Sequence, residues 1–186
     1  MLRKIKTTIA NCQFCQLHKT RIQPVVGSGN PKAKILFIGE APGKAEDESG
    51  EPFVGRSGKI LNELLAEIGL KRKDVFITNV VKCRPPKNRD PKKTEIKACM
   101  PFLKKQIEII NPKVIVTLGR HAMNHFLTKE TISEAHGQIF KINNETKRGK
   151  RTRTLIPIYH PAATIYNPQK KPDLIKDFQT IKKMIK

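Results

Sequence analysis

Four cysteines have the residue type and spacing to do chemistry. Cys12-Gln13-Phe14-Cys15 is a C-x2-C pair, and Cys83 and Cys99 follow far downstream. Two neighbouring thiolates on one turn chelate a single metal centre, and two more brought in by the fold complete a four-thiolate shell. Disulfide pairing is disfavoured in a reducing cell. The competing reading is four unrelated buried thiols. The wide gaps match neither a zinc finger nor the compact ferredoxin run, so zinc and a [4Fe–4S] cluster both stay open.

A second set of residues carries hydrogen-bonding and acid–base capacity. Gly39-Glu40-Ala41-Pro42-Gly43-Lys44-Ala45-Glu46-Asp47 is a loop shaped by Gly and Pro and rich in carboxylates; Asn79 and His160 stand alone elsewhere. The loop is not a phosphate loop. That pattern needs four residues between its glycines and Ser or Thr after Lys, whereas three separate Gly39 from Gly43 and Ala45 follows Lys44. No Ser-His-Asp or Cys-His arrangement for nucleophilic catalysis is spelled out.

These groups act together only if the fold gathers them. Four continuous, β-branched apolar runs predict strands covered on both faces: Lys34–Ile38, Val75–Val81, Val114–Leu118 and Leu155–Tyr159. Between them, helical spacing predicts helices over Ser57–Ile68, over Thr94–Ile110 with Thr94 as N-cap, after Gly119, and from about Asp173 to Ile181. Lys141–Arg153 is polar and basic and reads as a hairpin or loop before the last strand. Strand–helix alternation predicts one domain over 1–186, an α/β/α three-layer sandwich around a central, mainly parallel four-stranded sheet. Ligands of such sheets sit beyond the carboxyl ends of the strands. Gly39, Asn79, Gly119-Arg120 and His160 all fall there.

Charge narrows the partner. Lys plus Arg is 37 against 16 Asp plus Glu, a formal net charge of +21. That surplus repels itself unless a polyanion neutralises it, and nucleic acid is the usual one. A thermophile's Lys-coated surface is the bland alternative. No apolar stretch reaches the roughly 18 residues of a membrane span. The N-terminus lacks the apolar run of a secretion signal. The chain therefore reads as soluble and intracellular.

Gly39–Asp47, continued by Gly50-Glu51-Pro52-Phe53-Val54-Gly55-Arg56-Ser57-Gly58, resembles the first motif of the family-4 uracil-DNA glycosylases, the iron–sulfur type of archaea and bacteria. His160-Pro161-Ala162-Ala163 resembles their second motif. Cys12, Cys15, Cys83 and Cys99 match the family's cluster ligands in order and approximate spacing, and Thr78-Asn79 through Cys83-Arg84-Pro85-Pro86 matches the segment between base-reading Asn and third ligand. The resemblance spans about Asn11 to Met184. It implies a uracil-DNA glycosylase-like fold, a [4Fe–4S] cluster, and hydrolysis of the N-glycosidic bond of a uracil flipped out of single- or double-stranded DNA.

The same resemblance distributes roles. Phe53 stacks on the base, Asn79 reads its N3–H and O4, and His160 donates to O2, with Gly39, Glu40 and Gly43 lining the pocket. The better-known glycosylases carry an Asp at the place of Ala41. Glu40 and Glu46 are then the carboxylates that shape the pocket or stabilise the sugar cation. Lys82, Arg84, Lys87 and Arg89 are expected on DNA phosphates, and Ile165 or Tyr166 in the vacated stack. A monomer acting in the cytoplasm at the nucleoid is expected; clamp binding at the Lys-rich end stays open. The alternative function is a non-catalytic iron–sulfur protein that binds nucleic acid. A relative that forms a covalent adduct through an inserted His is disfavoured, because no His lies between Cys83 and Cys99.

Overall fold

The computed structural model describes residues 2–146 and 149–184. The expected domain span of 1–186 thus includes Met1, Lys147, Arg148, Ile185 and Lys186, which lie outside the described residues, the last two at the Lys-rich end.

Among the described residues the chain forms β1 (Ser28–Gly29), β2 (Ile35–Gly39), β3 (Phe76–Asn79), β4 (Val114–Leu118), β5 (Phe140–Thr146) and β6 (Gly149–Ile158). They make one six-stranded mixed sheet in the order β1-β3-β2-β4-β6-β5. The four strands expected from sequence are its centre, all parallel. The expected four-stranded sheet is corrected by the two outer strands, which pair antiparallel at the edges. β1 is too short to carry a period, and β5 is half of the polar hairpin, so neither has the apolar signature of a covered strand.

The helices are α1 (Leu2–Ala10), α2 (Lys44–Ser49), α3 (Arg56–Glu67), α4 (Lys93–Ile110), α5 (Arg120–Met123), α6 (Ile132–Ala135), α7 (Ala163–Tyr166) and α8 (Lys171–Lys183). Successive residues of β2 explain the layering. Leu36 and Ile38 pack with Ile5 and Ile9 of α1 and Leu103 and Ile107 of α4, whereas Ile35 and Phe37 pack with Leu61 and Leu65 of α3 and Phe178 of α8. A strand buried on both sides must be apolar throughout, and this one is. The N-cap of α4 is Lys92 rather than Thr94: Glu95 reaches back to accept the Lys92 backbone N–H at 2.7 Å. None of the described helices is long and apolar enough to cross a membrane.

The carboxyl ends of the central strands deliver the loops that matter. β2 and β3 run in register with Gly39 opposite Asn79. Beyond them the Val80 and Val81 backbone N–H groups donate to the Gly39 and Glu40 carbonyls at 2.8 and 3.0 Å. The first-motif loop is thereby stitched to the loop that leads to Cys83.

Candidate functional site

A cleft of about 340 Å³ opens at these strand ends, lined by Glu40, Ala41, Gly43, Glu46, Phe53, Asn79, Arg89 and His160 among others. That is room for one nucleobase. The fold therefore brings Asn79, Phe53 and His160 to one cavity, although 26 and 81 residues separate Asn79 from the other two.

Asn79 is buried, and its Oδ1 has no hydrogen-bond partner among the described residues. An orphaned buried acceptor costs about 1–3 kcal/mol, which a ligand N–H would recover. Gly39 makes the approach possible. A Cβ on Gly39 would lie 2.4 Å from Asn79 Oδ1 and 2.7 Å from Phe53 Cζ, so any side chain here fills the space between amide and ring.

Phe53 is held in a left-handed backbone conformation, φ 55°, which costs a non-glycine residue of order 1 kcal/mol. Its surroundings impose that conformation. Arg72 donates to the Phe53 carbonyl at 3.1 Å and also to that of Pro52. Gly58 lets the α3 backbone close in, since a Cβ there would sit 1.7 Å from the Phe53 oxygen. The clamp turns the Phe53 ring toward His160, centroid to centroid 5.7 Å.

His160 follows β6 and enters the turn that starts α7. Its Nδ1 accepts the Ala162 backbone N–H at 3.2 Å. A backbone amide can only donate, so the neutral ring carries its proton on Nε2. Burial pulls the His160 pKa down to about 4, with Glu46 opposing weakly. The imidazole is therefore a neutral Nε2–H donor at ordinary pH.

The two acidic candidates differ. Glu46 spends its oxygens on backbone: Oε2 accepts from Gly43 N–H at 3.1 Å, and Oε1 from Val54 and Gly55 at 3.0 and 2.9 Å. It braces the first-motif loop against the segment after Phe53, and of its two expected roles the geometry favours pocket shaping. Glu40 lines the cleft. Burial pushes its pKa up to about 7, with Asp90 adding to the rise and Arg120 opposing it. Arg120 Nε–H donates to His121 Nε2 at 3.2 Å, and His121 Nδ1 lies 3.4 Å from Glu40 Oε1. Asp90 stands 3.6 Å from the other ring nitrogen. Nothing in the sequence flags His121 or Asp90, which meet Glu40 only in the fold.

The surface candidates divide. Lys87 is exposed and Arg84 half-buried. Arg89 lines the cleft, but both its terminal nitrogens are held by the buried Glu95 carboxylate at 2.9 and 2.7 Å. Lys82 is a correction: expected on DNA phosphates, it is 1% exposed and points into the interior. Its Nζ donates to Thr78 Oγ1 at 2.7 Å, Gln106 Oε1 at 2.7 Å and the Asn79 carbonyl at 2.5 Å. A side chain with three interior acceptors is not free to meet a phosphate. Ile165 is partly buried on α7, and Tyr166 beside it is 87% exposed.

On the other side of the Asn79–Cys83 segment, Cys12, Cys15, Cys83 and Cys99 line one apolar cavity with Arg21, Lys82, Phe14 and Phe102. Burial pushes the Cys15, Cys83 and Cys99 thiols up, Cys99 to about 11, so a metal must drive their ionisation. Two cations favour the thiolate form. Arg21 donates to Cys83 Sγ at 2.9 Å, and Lys82 acts electrostatically on Cys83 and Cys99. Four convergent sulfurs with buried positive charge beside them fit an anionic thiolate-held metal centre. Arg21 was not legible as part of that set.

Residues 26–183 match the family model of the uracil DNA glycosylase superfamily. The chain is 48% identical to the type-4 uracil-DNA glycosylase of Sulfurisphaera tokodaii, across 98% of this chain and 84% of that protein. It is 49% identical to the type-4 enzyme of Archaeoglobus fulgidus, across 97% and 91% of the two. It is 41% identical to the type-4 enzyme of Thermotoga maritima, across 100% and 95% of the two.

Proposed function

Because the chain belongs to the uracil DNA glycosylase superfamily, we propose that it excises uracil from DNA, hydrolysing the N-glycosidic bond to leave an abasic site. One observation carries the residue assignment: Asn79, whose buried Oδ1 lacks a partner among the described residues, lines one cleft with Phe53 and His160.

A base stacked in DNA cannot enter that cleft, so it is flipped, at an unstacking cost of a few kcal/mol. Phe53 stacks on the flipped ring. Asn79 Oδ1 accepts uracil N3–H and its amide N–H donates to O4. As the bond breaks, negative charge grows on the base and His160 Nε2–H meets it at O2, a donor that is preorganised and needs no proton loss. Positive charge grows on the sugar, and Glu40, a carboxylate of the cleft lining, stabilises that cation and orients water. Such a group helps the transition state more than the ground state. Glu46 holds the loop on which Glu40 is carried.

Cys12, Cys15, Cys83 and Cys99 hold a [4Fe–4S] cluster, which supplies a cross-link between N-terminal segment, Cys83 loop and α4, and no electron to a hydrolysis. Residues 1–186 act as one domain and as a monomer, in the cytoplasm at the nucleoid, on single- and double-stranded uracil-containing DNA. Lys87 and Arg84 face the backbone.

The test is alkali-induced scission of uracil-containing oligonucleotides after incubation with the protein. Scission at uracil and none at thymine or cytosine is the expected result. Binding without scission would favour a non-catalytic nucleic-acid binder.

A carboxylate with pKa about 7 is protonated below that pH, so excision by Glu40 is lost as pH falls and gained as it rises. Single-turnover rate should climb between about pH 6 and 8 and then level. Glu40→Gln should flatten this limb, while His160, neutral above about 4, contributes none of it. Tyr166, exposed just past the cleft, fills the gap left by the flipped base. Tyr166→Ala should slow excision from duplex DNA by about 10-fold, an unstacking-sized loss, and leave single-stranded substrate nearly unaffected in the same assay.

A further inference from the structure

Lys82 is fully buried, yet all three of its hydrogen-bond acceptors are neutral: a threonine hydroxyl, a glutamine amide and a main-chain carbonyl. Among the described residues no carboxylate bonds it. A buried ammonium without an anion is among the costliest arrangements in a protein interior. Lys82 lines the same cavity as Cys12, Cys15, Cys83 and Cys99, whose sulfurs are the groups beside it that could carry the balancing charge. Its other end of influence is the base-reading residue, because one of its three N–H groups binds the carbonyl of Asn79 itself. Gln106, which also accepts from Lys82, is pinned in turn to the Val26 carbonyl at 2.6 Å, so the ammonium cannot swing away from this position cheaply.

We propose that Lys82 is the interior counter-ion of the four-cysteine metal centre and, through the Asn79 carbonyl, the positioning residue that couples that centre to recognition of the base. The proposal rests on the cluster and excision readings above. It explains why a metal centre with no part in hydrolysis is built against the strand end that carries the reading amide. Charge at the centre holds Lys82, Lys82 holds the Asn79 backbone, and the side chain is thereby aimed into the cleft.

The full-length holoprotein tests this. Wild type and Lys82→Met, purified anaerobically, are compared for iron per chain, cluster reduction potential by protein-film voltammetry, and inhibition of excision by free uracil. Removing a positive charge beside an anionic cluster should shift its potential downward. Loss of the charge-assisted bond to Asn79 should weaken uracil inhibition by about 10-fold or more. An unchanged potential overturns the counter-ion role, and unchanged uracil inhibition overturns the coupling. If Lys82→Met does not fold, Lys82→Gln serves, with a neutral donor in place of the charge: the potential should still fall, and an unshifted potential overturns the proposal. A wild type without iron, or one that releases no uracil, sinks the underlying readings and this proposal with them, and both are read before any variant is made.

Discussion

His160→Ala should lower the single-turnover rate of uracil excision by about 10²–10³-fold, the usual worth of one preorganised donor at a developing oxyanion. The imidazole reaches the cleft neutral, with its pKa near 4. The Ala162 amide fixes its tautomer, so the donating proton is in place before the reaction begins. Its interaction strengthens as charge grows on the base, and the loss should fall on the chemical step more than on KM. His160→Gln, which restores an N–H at similar reach, should recover part of the rate. A rate unchanged in His160→Ala would remove this residue from the reaction. Because Phe53 packs beside the ring, a thermal melt of each variant separates lost chemistry from a collapsed cleft.

Much of this arrangement is readable before any coordinates. Short, continuous, β-branched apolar runs point to strands covered on both faces, and their carboxyl ends locate Gly39, Asn79 and His160 at one edge of the sheet. The outer strands escape because two residues at Ser28–Gly29 have no period and the Phe140–Thr146 strand is polar. α1 escapes because its buried face rests on Ile5 and Ile9, too few to stand out in a short basic segment. Lys82 is the instructive error. In a row of basic residues beside a cysteine it has the local signature of a phosphate contact. Its inward direction depends on Gln106, 24 positions on and across a helix, and local pattern holds no trace of that. The His121–Glu40 contact and the Arg21–Cys83 bond are equally long-range, and each joins residue types too common to be singled out alone. Phe53 is the converse case: the residue is legible from its motif, but its positive φ and the Arg72 clamp that imposes it are tertiary facts.

Asn79→Asp should collapse discrimination between uracil and cytosine, which a buried amide sets at about 10⁴ or more. The amide offers an acceptor and donors; uracil presents N3–H and O4, the complementary pair, whereas cytosine presents N3 and an amino group. With cytosine in the wild-type cleft, donor would face donor and acceptor would face acceptor. The Asn79 oxygen has no other partner among the described residues. A carboxylate at this position has acceptors only, so it opposes uracil O4 while gaining a partner in the cytosine amino group. Uracil excision should therefore fall by orders of magnitude, and a slow release of cytosine should emerge in the same scission assay. Lys82 still holds the residue's carbonyl, which argues that the substituted residue keeps its place. Asn79→Leu, which loses both functions, should reduce uracil excision without creating any activity on cytosine, and the contrast between the two variants separates altered reading from simple damage to the pocket.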